Sequence, residues 1–513
     1  MGSVSETEHI LMIPFLAQGH LRPFTELALR LHSTTRFTIT LLTTPLNARL
    51  LRHNLPSSTT IEVVELPFNS SDHGLPDGVE NTDKVSLPQV ISLFHSTKSL
   101  EPHLTKYITN HFSPANPPAC IIFDVFLGWV DPVARSFGSP GIAFVTGGAY
   151  GYAAYISIWN ELPQRNSEEF RLMGFPETHR FRRSQLHRFL KVADGSDEWS
   201  LFFQPQLRFS MNCSAWVCNS VEEFEPLGFE ILRNYVKRPV WGIGPLIPQV
   251  PSGHSSSDES KSIQWLDSQK PDSVLYISFG SQNTVSPTQM MELAMGLELS
   301  GKPFLWVIRP PFGFDINGEI RPEWLPEGFE ERVTSKNQGM LVHKWGPQME
   351  ILHHVSTGAF LTHCGWNSVL EGLREGLPLV TWPLAAEQAY NSKLLSEEMG
   401  VAVELCRGLE GAVTKEDVKR VVEFVLGREE GSSGLEMKRK AVELGGKLKD
   451  AVKGEEGGDV GFKGSAMDDL VDAVVTGKLR CGRMSVAVRE VQVSCGSTSG
   501  VTQVRVQGVA PLL

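Results

Sequence analysis

The chain has 513 residues, 41% of them hydrophobic and 20% charged, with a formal charge of −11. That length is too great for one hydrophobic core and fits two domains of a soluble globular protein. The acidic balance argues against nucleic acid or an anionic membrane surface as the main partner, though it leaves room for one basic cleft.

The N-terminal MGSVSETEH has neither a basic n-region nor an apolar core, so no secretory signal is expected, and Glu6 stands where a myristoylation site wants Ser or Thr. Apolar β-rich runs at 9–14, 37–43, 61–66, 119–124 and 141–146 predict strands, with helices between them at segments such as 23–32 and 87–100. Residues 136–160 carry no charge, but Pro140, five glycines and scattered polar residues make a buried strand and helix the better reading than a membrane span. Residues 247–260, IPQVPSGHSSSDES, read as a linker. The pattern then restarts with strands at 274–279, 304–308, 339–343, 358–362 and 379–382, and polar-faced helices at 415–426, 434–453 and 465–475. Such alternation predicts two α/β domains with parallel sheets wrapped by helices, facing each other across a cleft. The expected divisions are 1–246, the linker, 261–460, a helix at 461–476 returning to the first domain, and an atypical tail at 477–513 where valines alternate with polar residues. Seven cysteines show no CxxC pair and no zinc spacing, so reduced thiols of a cytosolic protein are expected.

Chemistry concentrates at strand ends. The first strand runs into PFLAQGHLRPF, where a small-residue turn and a helix beginning near Pro23 put His20 at the mouth of the cleft. A neutral imidazole there can take a proton from an attacking hydroxyl, although a lone loop histidine is more often a structural or surface residue. Asp124 ends the run ACIIFD. A carboxylate at the end of a buried strand needs a partner: it either orients His20 as the acid of a triad does or caps the following helix. No Gly-x-Ser-x-Gly, no Gly-x-Gly-x-x-Gly after a strand, no Asp-x-Asp and no His-Glu-x-x-His occurs. A hydrolase elbow, a dinucleotide oxidoreductase and a metal-held diphosphate are therefore disfavoured, and metal-free chemistry is expected.

The richest window is 345–388, WGPQMEILHHVSTGAFLTHCGWNSVLEGLREGLPLVTWPLAAEQ. It brings aromatic planes, a polar turn after a strand, a helix start and a terminal acid–amide pair together. That is an arrangement for a nucleotide-sugar rather than a bare phosphate. Ser281, after the strand ending SFGS, adds a hydroxyl, and several charge-assisted contacts of about 1.5–3 kcal/mol each can hold a departing diphosphate.

This window closely resembles the signature box of plant family 1 UDP-dependent glycosyltransferases of small molecules. The likeness extends to AQGHLRPF, IIFDVFLGW, CNSVEEFE, WGIGPL and VLYISFGS, and spans about residues 8–476. The resemblance implies the GT-B fold, two Rossmann-like domains with the acceptor mostly in the first and the UDP-sugar mostly in the second. It implies that Trp345 stacks on uracil with Gln348 beside the base, and that His363, Asn367 and Ser368, with Ser281, bind the diphosphate. By the same resemblance Glu371 would take the ribose hydroxyls, and Trp366, Glu387 and Gln388 would face the sugar. His20 is the base and Asp124 its partner, and Thr146 in FVTGGAY falls where the family places a sugar-contacting threonine. The box opens Trp-Gly-Pro where Trp-Ala-Pro is usual, has Glu387 where Asp is common, and closes on Gln388, which leans towards glucose. The tail after Thr476 matches nothing in the family.

The expectation is thus an inverting transfer of glucose from UDP-glucose to a hydroxyl of a small lipophilic acceptor, a flavonoid, other phenol or terpenoid. No resident cofactor or metal, nucleic acid or membrane span is expected, and the protein is expected to be a cytoplasmic monomer. The alternatives are another UDP-sugar (xylose, galactose, glucuronic acid) or a binding protein that keeps the fold without catalysis. The acceptor pocket is expected among Phe15, residues 68–95, Phe126, Tyr150 and residues 185–205 with Trp199, Phe202 and Phe203.

Overall fold

The computed structural model describes residues 8–85, 89–163, 167–248, 257–282, 284–409, 411–456 and 466–479. The predicted tail beyond residue 479 and most of the predicted linker lie outside them. The helix Ser257–Asp267 starts inside the stretch expected to be linker.

Two parallel sheets organise the chain. The first contains β1 (His9–Ile13), β2 (Thr38–Thr43), β3 (Glu62–Glu65), β4 (Cys120–Asp124) and β5 (Gly141–Val145). A two-residue antiparallel hairpin, β6 (Glu169–Phe170) with β7 (Phe181–Arg182), stands apart, and β8 (Ala215–Cys218) and β9 (Val240–Gly242) complete the sheet in the order β3-β2-β1-β4-β5-β8-β9. The second is built from β10 (Val274–Ser278), β11 (Phe304–Ile308), β12 (Gly339–His343), β13 (Thr357–Thr362), β14 (Leu379–Thr381) and β15 (Ala402–Glu404), in the order β12-β11-β10-β13-β14-β15. Strands β1, β4 and β5 are buried on both faces, as a sheet covered by helices on each side requires.

Each sheet reverses its winding once. In the first, β1 pairs with β2 on one side and β4 on the other; in the second, β10 pairs with β11 and β13. Connections leave in opposite directions at such a switch point, opening a crevice at the C-terminal strand ends where ligands bind. The motifs singled out in the sequence sit there: His20 follows β1, Asp124 closes β4, Ser281 follows β10, and His363 follows β13.

The helix Ala466–Val475 packs with Met467, Leu470, Ala473 and Val474 into the core of Ile10, Met12, Leu21 and Phe24, so the chain returns to the first sheet. The charge-free stretch 136–160 contains β5 and the buried helix Ala149–Glu161. Among the described residues no helix is long and apolar enough to cross a membrane, and the five cysteines there are free and buried.

Candidate active site

The first helix begins at Gln18, earlier than the expected start near Pro23, and runs to Thr34. His20 is therefore in the first helical turn rather than in a loop. Leu21, Phe24, Leu27, Ala28 and Leu31 give the helix its buried stripe, which carries the pattern back past the proline. Pro23 has no N–H to return to the carbonyl of Gly19, four residues back. That carbonyl is used otherwise: Asn367 Nδ2 donates to it at 3.2 Å from the opposite domain.

His20 Nδ1 lies 2.6 Å from Asp124 Oδ2 and 3.3 Å from Thr146 Oγ1. A carboxylate only accepts, so Nδ1 carries the proton and Nε2 holds the lone pair, with no described residue bonded to it. Burial alone would lower the imidazole's pKa, but the charge and hydrogen bond of Asp124, with the charge of Glu387, outweigh it and leave the pKa raised. Asp124 is fully buried, and its second oxygen accepts from the Phe126 N–H at 3.0 Å. The bond to His20 matches the first reading of this residue, whereas the bond to Phe126 is local and caps no helix. The local one closes a turn; the next helix, Val130–Ser136, starts six residues on from Asp124 without a side-chain cap.

Aromatic rings surround the imidazole. Phe15 and Phe126 have their centroids 5.3 and 5.6 Å from it, Phe94 packs at 4.5 Å on Phe15, and Phe203 at 5.1 Å on Phe126. Trp199 and Phe202 pack against Phe94 from the helix Glu198–Met211. Tyr150, expected here, points away: its hydroxyl meets His179 Nδ1 at 3.0 Å and its ring packs on Phe175. Tyr152 and Tyr155 approach Phe126 instead. Two residues along a helix rotate a side chain by roughly 200°, so Tyr150 and Tyr152 cannot share a wall.

The second domain presents its residues from loops and one helix N-terminus. Gln348 Nε2 donates to Glu371 Oε2 at 2.5 Å and reaches Ser368 Oγ at 3.4 Å, while Tyr276 donates to Gln348 Oε1 at 3.1 Å. His363 is packed tightly against Gly280, where a Cβ would stand 2.7 Å from its Cε1 and where φ is +78°. Burial pushes its pKa down to about 4, so the ring is neutral near pH 7, and its Nδ1 has no partner among the described residues. Trp345 is 60% exposed, with the Arg309 guanidinium 6.0 Å from its ring centre. Arg309 also donates to the Ser281 carbonyl at 2.8 Å, tying the Ser281 loop to the Trp345 loop.

Trp366 differs from the expectation. Its indole is buried between the domains, with Nε1 donating to the Asn219 carbonyl at 2.7 Å and the ring against Gly148, where a Cβ would come within 2.6 Å. The indole N–H and one face of the ring are thus taken up by the first domain. Gln388 is also partly committed, its Oε1 accepting from the N–H groups of Leu384 and Ala385 at 2.9 and 2.8 Å. Glu387 accepts from Asn391 Nδ2 at 3.2 Å; burial raises its pKa, and its own backbone, His20 and Asn391 oppose that only in part.

Three participants escaped the sequence reading. Asn219, within CNSVEEFE, receives Trp366 and lies 3.5 Å from Asn367 Oδ1. Glu225, buried in the same stretch, accepts from the N–H groups of Ala149 and Tyr150 at 2.7 and 3.1 Å, capping the helix that carries Tyr152 and Tyr155. Arg22 reaches Glu371 across the cleft at 3.2 Å. The signal for Glu225 was a Glu immediately before a helix-starting Pro226; Asn219 and Arg22 had none.

Known proteins share this architecture and more. Residues 253–432 match the family model described as UDP-glucoronosyl and UDP-glucosyl transferase. UDP-glycosyltransferase 92A1 of Arabidopsis thaliana is 40% identical over 447 residues, 85% of this chain and 91% of that protein. The chain belongs to the plant family 1 UDP-glycosyltransferases. Crocetin glucosyltransferase 3 of Crocus sativus is 44% identical over 447 residues, covering 83% of this glycosyltransferase and 92% of its own length. UDP-glucose flavonoid 3-O-glucosyltransferase 7 of Fragaria ananassa is 34% identical over 477 residues, 88% and 93% of the two chains. Among solved structures, Glycyrrhiza uralensis UGT73P12 complexed with glycyrrhetinic acid 3-O-monoglucuronide superposes with a TM-score of 0.76 at 28% identity, over 92% of this chain and 97% of that one. The two Rossmann-like domains are those of the GT-B fold.

Proposed function

We propose that this glycosyltransferase moves glucose from UDP-glucose to a hydroxyl of a small lipophilic acceptor, with inversion, giving a β-O-glucoside of a phenol such as a flavonoid. The observation that carries the reading is His20, whose Nδ1 is fixed by Asp124 so that Nε2 is left as a base beside aromatic rings. His20 takes the acceptor O–H proton, the oxygen bonds to the anomeric carbon, and the bond from that carbon to the diphosphate breaks with its electron pair leaving on UDP. General-base help of this kind contributes about 10²–10⁴-fold.

Asn367, Ser368, His363 and Ser281 are the groups proposed to receive the diphosphate, at the N-terminus of the helix Trp366–Arg374 whose dipole favours negative charge. Glu371 takes the ribose and Trp345 the uracil, with Gln348 beside the base. Glu387 and the amide nitrogen of Gln388 are assigned to the sugar, while Thr146, bonded to His20, is placed beside the reacting centre. UDP-glucose is a co-substrate, and the reading uses no metal. The glucosyltransferase names of the Crocus and Fragaria relatives support glucose and a small acceptor. Buried reduced thiols suit the cytosol, and the reading takes the protein as a monomer there.

UDP release measured over panels of UDP-sugars, phenols and aliphatic alcohols tests the reading. UDP-glucose should be preferred, and His20→Ala should slow transfer to an aliphatic alcohol by about 10²–10⁴-fold. Full activity of that variant with the alcohol removes His20 as base, and no UDP release with any pair makes the protein a binder.

A further inference from the structure

Arg22 sits two residues past His20 on the first helix, in the acceptor domain, yet its Nη1 donates to Glu371 Oε1 of the donor domain at 3.2 Å. The ends of this pair differ in setting: the Arg22 side chain is 46% exposed, that of Glu371 only 2%. A carboxylate so deeply buried is costly without ionic or hydrogen-bonding partners. Burial raises the Glu371 pKa, and the Arg22 charge and the Gln348 hydrogen bond act against that rise.

The two donors do not exhaust the carboxylate. Arg22 occupies Oε1 and Gln348 Oε2, and each oxygen of an ionised carboxylate has a second lone pair for a further donor. A lone pair thus remains on each oxygen for a further donor, such as a ribose hydroxyl. The same turn of the first helix makes another contact with the same partner helix, Asn367 donating to the Gly19 carbonyl that Pro23 leaves open. The turn bearing His20 is thus fastened twice to the helix bearing Asn367, Ser368 and Glu371.

We propose that Arg22 is a donor-positioning residue supplied by the acceptor domain, which holds the Glu371 carboxylate as a two-sided acceptor for the ribose hydroxyls and makes cleft closure part of nucleotide binding. The proposal rests on the reading of Glu371 as the ribose acceptor. Arg22 touches no reacting atom and acts through Glu371, so its removal changes donor affinity and not the chemical step.

Steady-state constants with UDP-glucose and one accepted phenol, for the full chain and for R22Q, R22K, E371Q and R22Q/E371Q, test it. R22Q should raise the donor KM about tenfold, which corresponds to about 1.4 kcal/mol, with kcat and the acceptor KM within about twofold of the parent. R22K should recover much of the loss, and R22Q should add nothing once Glu371 is already glutamine. Multiplying effects of the two substitutions overturn the proposal. So does a change confined to kcat or the acceptor KM, and so does a lowered donor KM, the mark of an arginine that blocks the ribose place. If the parent protein turns over no UDP-sugar at all, the proposed function fails instead.

Discussion

His20 draws its chemistry from three separate segments: its own helix, the end of β4 through Asp124, and the turn after β5 through Thr146. Asp124 matters most because its charge and hydrogen bond are the leading influences, ahead of the Glu387 charge, against the burial that would otherwise lower the imidazole pKa. As a base, His20 must be neutral, so a raised pKa makes kcat/KM climb with pH and level off only above that raised value. Asp124→Asn keeps a side chain of the same shape and removes the charge, leaving burial to dominate. With an aliphatic alcohol as acceptor, the rising limb of the pH–kcat/KM profile should move to lower pH, and the plateau should fall by about 10²–10⁴-fold as the tautomer is no longer enforced. An unmoved limb sinks the assignment of Asp124 as the group that sets His20. At this scale the sequence was informative because a polar residue closing a buried apolar run has to be paired. It was less so for His20's own setting, since Pro23 suggested a helix start when the helix in fact begins at Gln18 and the proline only frees Gly19.

Elements were legible wherever an apolar run was long and ended in a distinctive turn: β11 and β12 coincide with their expected bounds, and β1, β4, β5, β10 and β13 differ by a residue at one end. The short β8, β9 and β15 went unread, for runs of three or four residues give no period to recognise and only their neighbours in the sheet make them strands. The same holds for the helix Ala149–Glu161, whose apolar sequence shows that it is buried but not which residues face the cleft. Its N-cap Gly148 supplies no side-chain hydrogen bond; Glu225, seventy-seven residues on, does so from outside. Glu225→Ala leaves two buried amides unpaired and should destabilise the fold by ~2–4 kcal/mol in urea titrations at pH 7. Burial, only partly offset by the nearby Ser220 hydroxyl and by hydrogen bonds from the Ala149 and Tyr150 N–H groups, raises the Glu225 pKa to about 7 from 4.5. Between those values the folded state holds the extra proton, so this group's contribution to stability is present below about pH 4.5 and declines as pH rises through about 7. Glu225→Gln should remove that part of the slope; an unchanged pH dependence between 5 and 7 rules the assignment out.

The whole molecule depends on contacts that no local pattern announces. Trp366 to Asn219, Asn367 to Gly19, Arg22 to Glu371 and Gln282 to Thr82 all cross between the domains, joining residues at least 147 positions apart. Two of these residues read locally as something else: Trp366 as facing the sugar and Asn367 as a diphosphate contact. The chain's return is another such link. Met467, Leu470, Ala473 and Val474 cover the side of the first sheet that supports the helix of His20, placing Leu470 in one core with Leu21 and Phe24. Burying side chains of this size stabilises by about 1.5–3 kcal/mol each, so losing the returning helix costs more than many domains can spare. All residues assigned to the site, and this helix, precede position 480. A chain ending at Arg480 should therefore keep its transfer rate and its melting temperature, whereas one ending at Gly464 should lose soluble expression or melt well below the parent. Leu470→Ala, a milder version of the second change, should cost ~2–4 kcal/mol while leaving the donor KM of the folded fraction unaltered. If the Arg480 truncation loses activity although it folds, residues 481–513 contribute to the site and its assignment to residues 8–479 is incomplete. If the Gly464 truncation remains stable, the returning helix is not what holds the first sheet's outer core together.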